Sequence, residues 1–386
     1  MKIAFDLRRI KNPGIGRYMK CLVEAILAQE PLGDYLLILP PGAENIVQTG
    51  SSRAKTISPK LKYYSIREQI QLPWILRKNK VDLLHAPHFM LPLVRPCPSV
   101  VTIHDVIPLI WKEDLGSRIG QVYYRWMIFA ATRLADRIIT DSKFSRDDIV
   151  HRLGVDPDKV KVIYPGISHD FHQVTDNVEL QNVRVKYRIE NDYIVYAGIY
   201  KPRKNHAALL RAFQSFLSSE GHATLVLVGP LNEGEQELGR LADELGISKK
   251  VIFTGYVNDS ELRAIYSAAK VYACPSLYEG FGFTVLEAMA CGTPVVCSGE
   301  TSLPEVAGDA ALYADPRSPE EFARALHNVL TNAGLRGALI EKGRKNLQRF
   351  NWANTAKETL GVYQEVLRTS LLRTRPAMQY RKFLFF

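Results

Sequence analysis

Nowhere in the 386 residues does an apolar run approach the roughly twenty needed to cross a bilayer, so no membrane-spanning segment is expected. The start, Met1 to Arg9, turns charged too soon to be a secretory signal. Cysteine is scarce: Cys21, Cys97, Cys274, Cys291 and Cys297 are odd in number and none shows Cys-x-x-Cys spacing. That excludes a framework of paired disulfides and reads the five as small buried apolar residues in a reducing cytoplasm. Low-complexity and disorder-prone stretches are also missing. No zinc finger, RNA-recognition motif or basic-helix pattern occurs, so nucleic acid is not an expected partner.

Acids are in deficit. Fifty Lys and Arg face 40 Asp and Glu, a net charge of +10. Residues 1–170 hold 25 cations against 17 acids, residues 171–365 hold 20 against 23, and residues 366–386 hold five against none. The basic parts are therefore the first half and the tail, which suits an anionic membrane or an acidic small molecule. With 46% hydrophobic residues the chain is long enough for two cores.

Short apolar runs at residues 2–5, 35–39, 83–86, 99–103, 137–140 and 160–164 alternate with helical patterns, the signature of an α/β parallel sheet. After the first run, Gly14-Ile-Gly16 opens an amphipathic helix through Ala28, at the place where such sheets put ligand loops. A plain tight turn is the other reading of these glycines. His104-Asp105 directly follows the fourth run and so lies at a strand's carboxyl end, as a structural hydrogen-bonder or a ligand contact. His85 and His88 flank Pro87 in a comparable loop and are expected to line a ligand cleft. Asp156-Pro-Asp158 has the form of a metal-binding Asp-x-Asp, but between a helix and a strand it reads as turn chemistry, and no metal site is expected. These features organise the chain as a domain over 1–168, a linker over 169–190, a second domain over 191–352, a helix over 353–370 and a basic, aromatic tail over 371–386.

The second domain opens with the run 193–198, followed by a loop with three cations, Lys201, Arg203 and Lys204, then a helix from His206. Further strand-and-loop units follow at 224–229 and 251–257. The stretch 277–290, Leu-Tyr-Glu-Gly-Phe-Gly-Phe-Thr-Val-Leu-Glu-Ala-Met-Ala, lies between the apolar runs 271–275 and 292–297, and reads as the turn and helix of a strand-turn-helix-strand unit. Glu279 sits in the loop, Gly280 and Gly282 allow close approach of the backbone, and Glu287 falls about one turn inside a helix begun by Phe283 or Thr284. Such a helix start, with unpaired N–H groups and a positive dipole end, suits a diphosphate.

The run from Pro275 to Val296, together with Leu303-Pro-Glu-Val-Ala-Gly308, resembles the signature of the retaining glycosyltransferases of family four. The resemblance covers about residues 1–365 and is strongest in the second domain. It implies the GT-B fold: two Rossmann-like doubly wound parallel-sheet domains facing across a cleft, donor nucleotide-sugar on the second and acceptor mainly on the first. By the resemblance, Gly16 lies near the donor diphosphate, His104 contacts the donor sugar, and the backbone at Gly255, Tyr256 and Val257 holds the base. Glu279 is expected on the sugar hydroxyls or as a nucleophile, Glu287 on the ribose. Gly280, Phe281, Gly282, Phe283 and Thr284 would form the donor loop.

The family carries an Arg just after the glycine matching Gly198 and a Lys six residues after it, both on the diphosphate. Lys204 matches the second, but Ile199 replaces the first, and Arg203 is expected to supply the missing charge. These cations would do without a metal or cofactor what a divalent ion does elsewhere. Gly14-Ile-Gly-Arg-Tyr18 and Pro202-Arg-Lys-Asn205 look most like bacterial polysaccharide mannosyltransferases, which makes GDP-mannose the expected donor and a saccharide or lipid-linked saccharide the expected acceptor. A sugar-nucleotide epimerase, a phosphorylase of the same fold, or a non-catalytic sugar-nucleotide binder are the alternatives.

The acid-free tail 369–386 mixes cations with Leu, Tyr and Phe, and is expected to attach the otherwise cytoplasmic protein reversibly to an anionic membrane surface. Residues 74–78 and 123–127 also set aromatics beside cations; they read as amphipathic helices serving the core.

Overall fold

The computed structural model describes residues 1–12, 14–29, 33–47, 53–61, 65–219, 221–231 and 233–374. The chain divides into two compact units, residues 1–166 with the segment from Asn351 onward, and residues 167–350.

In the first unit the strands are β1 (Lys2–Asp6), β2 (Asp34–Ile38), β3 (Ala54–Ile57), β4 (Leu83–Ala86), β5 (Ser99–Thr102), β6 (Arg137–Thr140) and β7 (Val160–Val162). They form one parallel sheet of order β3-β2-β1-β4-β5-β6-β7 among the described residues. Its helices to this point are α1 (Ile15–Ala28), α2 (Ile66–Lys78), α3 (Ile107–Ile110), α4 (Arg118–Leu134) and α5 (Lys143–Leu153). Parallel strands are covered on both faces, so the central ones are apolar throughout. Ala4 of β1 joins a core with Leu72 and Leu76 of α2, Met127 and Ile128 of α4 and Ile149 of α5. The next residue, Phe5, points to the opposite face and packs against Tyr35 and His85.

The second unit carries α6 (Asn177–Lys186), β8 (Tyr193–Ala197), α7 (His206–Ser218), β9 (Thr224–Val228), α8 (Glu233–Glu244), β10 (Val251–Gly255), α9 (Asp259–Ala268) and β11 (Val271–Cys274). It continues through α10 (Phe283–Ala290), β12 (Val295–Ser298), α11 (Leu303–Ala307), β13 (Ala311–Ala314), α12 (Pro319–Thr331) and α13 (Ala333–Leu347). Its parallel sheet runs β10-β9-β8-β11-β12-β13. The chain then returns to the first unit with α14 (Trp352–Thr374), where Tyr363 meets His85 and Phe5. Both sheets reverse their strand order beside the first strand, between β1 and β4 and between β8 and β11. The carboxyl ends at such a reversal are where doubly wound sheets bind ligands.

Three local features differ from expectation. β3 and β13, each short and weakly patterned, were not legible as strands. The stretch 169–190, expected as a linker, contains α6 and groups with the second unit. Asp176 caps α6 by accepting from the Val178 N–H, and Val183 is its one buried residue, too small an apolar face to show a helical period. No helix among the described residues is long and apolar enough to cross a membrane.

Candidate active site

At the reversal point of the second sheet, the loops after β8 and β11 are tied together by the Asn205 side chain and by one backbone hydrogen bond. Pro202–Lys204 form a 3-10 turn that ends on Asn205 in the left-handed region, φ 59°. The Asn205 amide donates to the carbonyls of Pro275, at 3.2 Å, and Pro316, at 2.6 Å. Leu277 N donates to the Arg203 carbonyl at 2.8 Å. Held this way, Lys204 Nζ donates to Glu279 Oε1 at 2.5 Å, and Ser276 Oγ donates to the same oxygen at 2.7 Å. Arg203 lies 3.9 Å from Glu279 Oε2. Glu279 is buried. Burial alone would push its carboxyl up, but Lys204 and then Arg203 and Ser276 outweigh it and hold the group ionised below the usual range.

Two residues past Gly280, the chain enters α10 through Gly282, whose φ of 112° is open to glycine and whose absent Cβ would stand 2.9 Å from Leu303 Cδ2. No side chain caps this helix, so its first N–H groups lack the side-chain acceptor that an N-cap residue would supply. Val285, Leu286, Ala288 and Met289 are buried around it, and Glu287 is buried one turn in. The loop is braced from behind. Glu279 N donates to Thr301 Oγ1 at 3.1 Å, and Ser302 Oγ lies 2.9 and 2.8 Å from the carbonyls of Glu279 and Phe281. Phe281 meets Phe283 edge to face, and the Tyr272 hydroxyl donates to Thr284 Oγ1 at 2.7 Å. Gly198, at the end of β8, has φ 153° and lies so close to Gly229 that a Cβ on the latter would meet its carbonyl at 2.3 Å. β10 ends at Gly255, φ 74°; Tyr256 is exposed and Val257 buried. The second unit thus sets Lys204, Arg203, Glu279, Glu287, Gly198 and the helix start around one sheet reversal.

In the first unit, His104 Nδ1 bonds Asp141 Oδ2 at 2.7 Å just beyond β5 and β6. Burial opposes charge on this imidazole, but the Asp141 carboxylate prevails and raises its pKa. Arg9 contacts His88 Nε2 at 2.7 Å, and Arg9, His88, His104 and Asp105 share a cavity of about 220 Å³. His88 lines that cavity; His85 does not. His85 lies inside β4, bonded to the Tyr363 hydroxyl and Thr102 Oγ1, and burial drives its pKa down to about 3. It is a neutral core histidine, because the strand turns its ring onto the α14 face of the sheet. Gly16 sits in the first turn of α1, where a Cβ would strike the Ile10 carbonyl at 2.0 Å. Asp156 accepts from Asp158 N at 2.9 Å and caps the turn into β7.

Residues 26–171 match the family described as Glycosyltransferase Family 4, and residues 181–346 that described as Glycosyl transferases group 1. The chain is 30% identical over 384 residues to O-antigen chain mannosyltransferase B of Escherichia coli, spanning 94% of this chain and 100% of that protein. The chain belongs to glycosyltransferase family four. This glycosyltransferase has the GT-B fold, as does sucrose-phosphate synthase (tll1590) from Thermosynechococcus elongatus, at TM-score 0.76 and 21% identity over 96% of this chain and 100% of that one. Anabaena Alr3699/HepE, solved in complex with UDP and glucose, superposes at TM-score 0.74 and 20% identity over 94% and 99%.

Three residues of the glycosyltransferase's site escaped sequence reasoning: Asp141, Ser276 and Asn205. Each follows a strand or closes a turn, which is a usable signal. Asp141 and its neighbour Ser142, which caps α5, stand directly after β6 as His104 stands after β5.

Proposed function

We propose that this glycosyltransferase moves mannose from GDP-mannose to a saccharide or lipid-linked saccharide acceptor in cell-surface polysaccharide synthesis, in the cytoplasm, with retention and without a metal or cofactor. The observation that carries the reading is the ion cluster of Lys204, Arg203 and Glu279 beside the uncapped start of α10. Departure of GDP leaves negative charge on the diphosphate. Lys204 has three donors, of which Glu279 takes one, so the others can serve phosphate oxygens together with Arg203 and the N–H groups after Gly282. Gly198 ends β8 in the same unit as these cations, and Gly16, a donor contact by the family resemblance, is required in its own unit by the close approach of the Ile10 carbonyl.

Ionised Glu279 is suited to accept hydrogen bonds from the donor sugar's hydroxyls, and buried Glu287 from the ribose. Gly255, Tyr256 and Val257 hold the base by backbone. His104, held at Nδ1 by Asp141, which raises its pKa, is a donor for a sugar oxygen. In front-face transfer the bond from the anomeric carbon to the phosphate oxygen breaks and its electrons leave with GDP. The acceptor oxygen bonds the same face, and its proton passes to the departing phosphate, so no enzymic base is needed. The relatives' names support mannose; the site's cations support a metal-free route.

The test is a thermal-shift screen against GDP-, UDP-, ADP- and dTDP-sugars, followed by transfer assays with EDTA and an anomeric assignment of the product by NMR. GDP-mannose should raise Tm most, EDTA should leave transfer intact, and the product should keep the α-anomer. Stabilisation by UDP-sugars alone, rescue of an EDTA-dead enzyme by Mg²⁺, or an inverted anomer would each overturn the corresponding part.

A further inference from the structure

The second face of α4 is the surface feature that the site leaves unexplained. Tyr124, Met127, Ile128 and Ala131 turn inward to the sheet, as helix periodicity requires. On the outside, where a polar row is the norm, stand Ile119, Val122, Trp126 and Phe129, exposed by 84, 72, 54 and 46%. Their spacing of three, four and three residues lines them in one stripe. Arg118, Arg125 and Arg133 lie on the same exposed side, and α4 contains no acid. A helix apolar on two sides is one that is buried on two sides, so this face calls for an occupant.

α2 repeats the arrangement. It joins the same core as α4 through Leu72, Ile75 and Leu76, so both helices lie on one face of the sheet. Outward it exposes Ile70 by 67% and Trp74 by 60%, followed by Arg77 and Lys78. Its only acid, Glu68, is buried and accepts from Arg8 at 2.6 Å. In each helix a cation lies over an exposed aromatic ring, Lys78 over Trp74 and Arg133 over Phe129, both at 4.9 Å. The acids that flank α4 are Glu113 and Asp114, on the turn before it, and Asp136, two residues past its end, which accepts from Ser99 N at 2.9 Å and pairs with Arg95 at 3.6 Å.

We propose that the outward faces of α2 and α4 form a docking surface for an anionic lipid bilayer. Aromatic rings settle at the boundary between headgroups and acyl chains, and acid-free rows of Arg and Lys meet the phosphates above it. The charge pattern favours this occupant over a protein, whose interface would pair the cations with acids of its own. Residues 74–78 and 123–127 lie on amphipathic helices that serve the core through Ile75, Leu76, Tyr124 and Met127, while Trp74 and Trp126 are exposed on the outward side. Most of the tail first expected to bind membrane, from residue 375 onward, lies outside the described residues.

The test is co-sedimentation of the full chain with vesicles of phosphatidylglycerol and phosphatidylethanolamine, against vesicles of phosphatidylcholine. Wild type should bind the anionic vesicles, with release by high salt. A triple variant Trp74→Ser, Trp126→Ser, Phe129→Ser should lose at least tenfold in partitioning, and Arg118→Gln, Arg125→Gln, Arg133→Gln a similar factor at low salt. Both should keep the wild-type thermal shift with donor nucleotide, which separates loss of docking from loss of fold and from failure of the donor assignment. Wild-type sedimentation of both variants, or equal binding to neutral vesicles, would overturn the proposal. So would a lipid-free oligomer of the wild type that the apolar triple variant dissolves.

Discussion

Glu279 and Lys204 hold each other at 2.5 Å, so changing either alters the partner's charge environment. Glu279→Gln should lower turnover more than it lowers nucleotide affinity, since its proposed ligand is the sugar; equal loss of GDP and GDP-sugar binding by calorimetry would count against that role. Lys204→Ala removes a partner of the developing charge and should reduce kcat/KM about a hundredfold or more. His104 gives a prediction independent of the reaction. Asp141 raises its pKa against the opposing effect of burial, so the pair's stabilisation is present below the ordinary histidine pKa and is lost as pH rises through the His104 value. Asp141→Asn should move the His104 titration down, below about 6.5, in an NMR pH series; an unmoved midpoint would mean that Asp141 does not govern the proton. At this scale the sequence exposed what is local. Glu279, Gly282 and Glu287 are legible because one loop and one helical turn set their spacing. Asp141 and Ser276 were not: their place just past a strand marks them as candidates, but the through-space partner that gives each its role lies elsewhere in the chain or on the far side of a turn.

Among the elements, α10 shows how much one backbone position carries. Gly282→Ala must place a Cβ at φ 112° and 2.9 Å from Leu303, which costs about 1–3 kcal/mol and turns the helix start away from its loop. We expect a lower Tm and a loss of donor affinity together. Gly239→Ala, inside α8 with nothing near its added Cβ, should instead stabilise by up to about 1 kcal/mol. If the two variants shift Tm alike, conformational strain at Gly282 is not the cause. Strands with continuous apolar runs, such as β8 and β9, were legible, whereas β3 and α6 were not, since both are short and present little apolar face. The outward rings of α2 and α4 were hidden for a different reason. When both sides of a helix are apolar, periodicity no longer says which side is in.

Over the whole molecule, buried histidines set the response to acid. His85 in the first unit and His206 in the second are held neutral by burial, each with its pKa driven down to about 3. The unfolded chain takes up those protons near pH 6.5, so stability should fall as pH drops below that value, by up to about 1.4 kcal/mol per pH unit for each. Urea unfolding at about pH 7, 6 and 5 should show midpoints that decline together for both units; a flat profile would contradict the buried neutral forms. His85 also marks how the first unit is finished. Its ring is bonded to Tyr363, and the Tyr164 carbonyl accepts from Thr355 at 2.7 Å, both partners lying on α14. Between residue 166 and residue 351 the ribosome makes the entire second unit. The domain begun first is therefore completed last: during synthesis its β-sheet waits for α14 to join α1, and residues 167–350 are ready to fold before the unit that precedes them is whole.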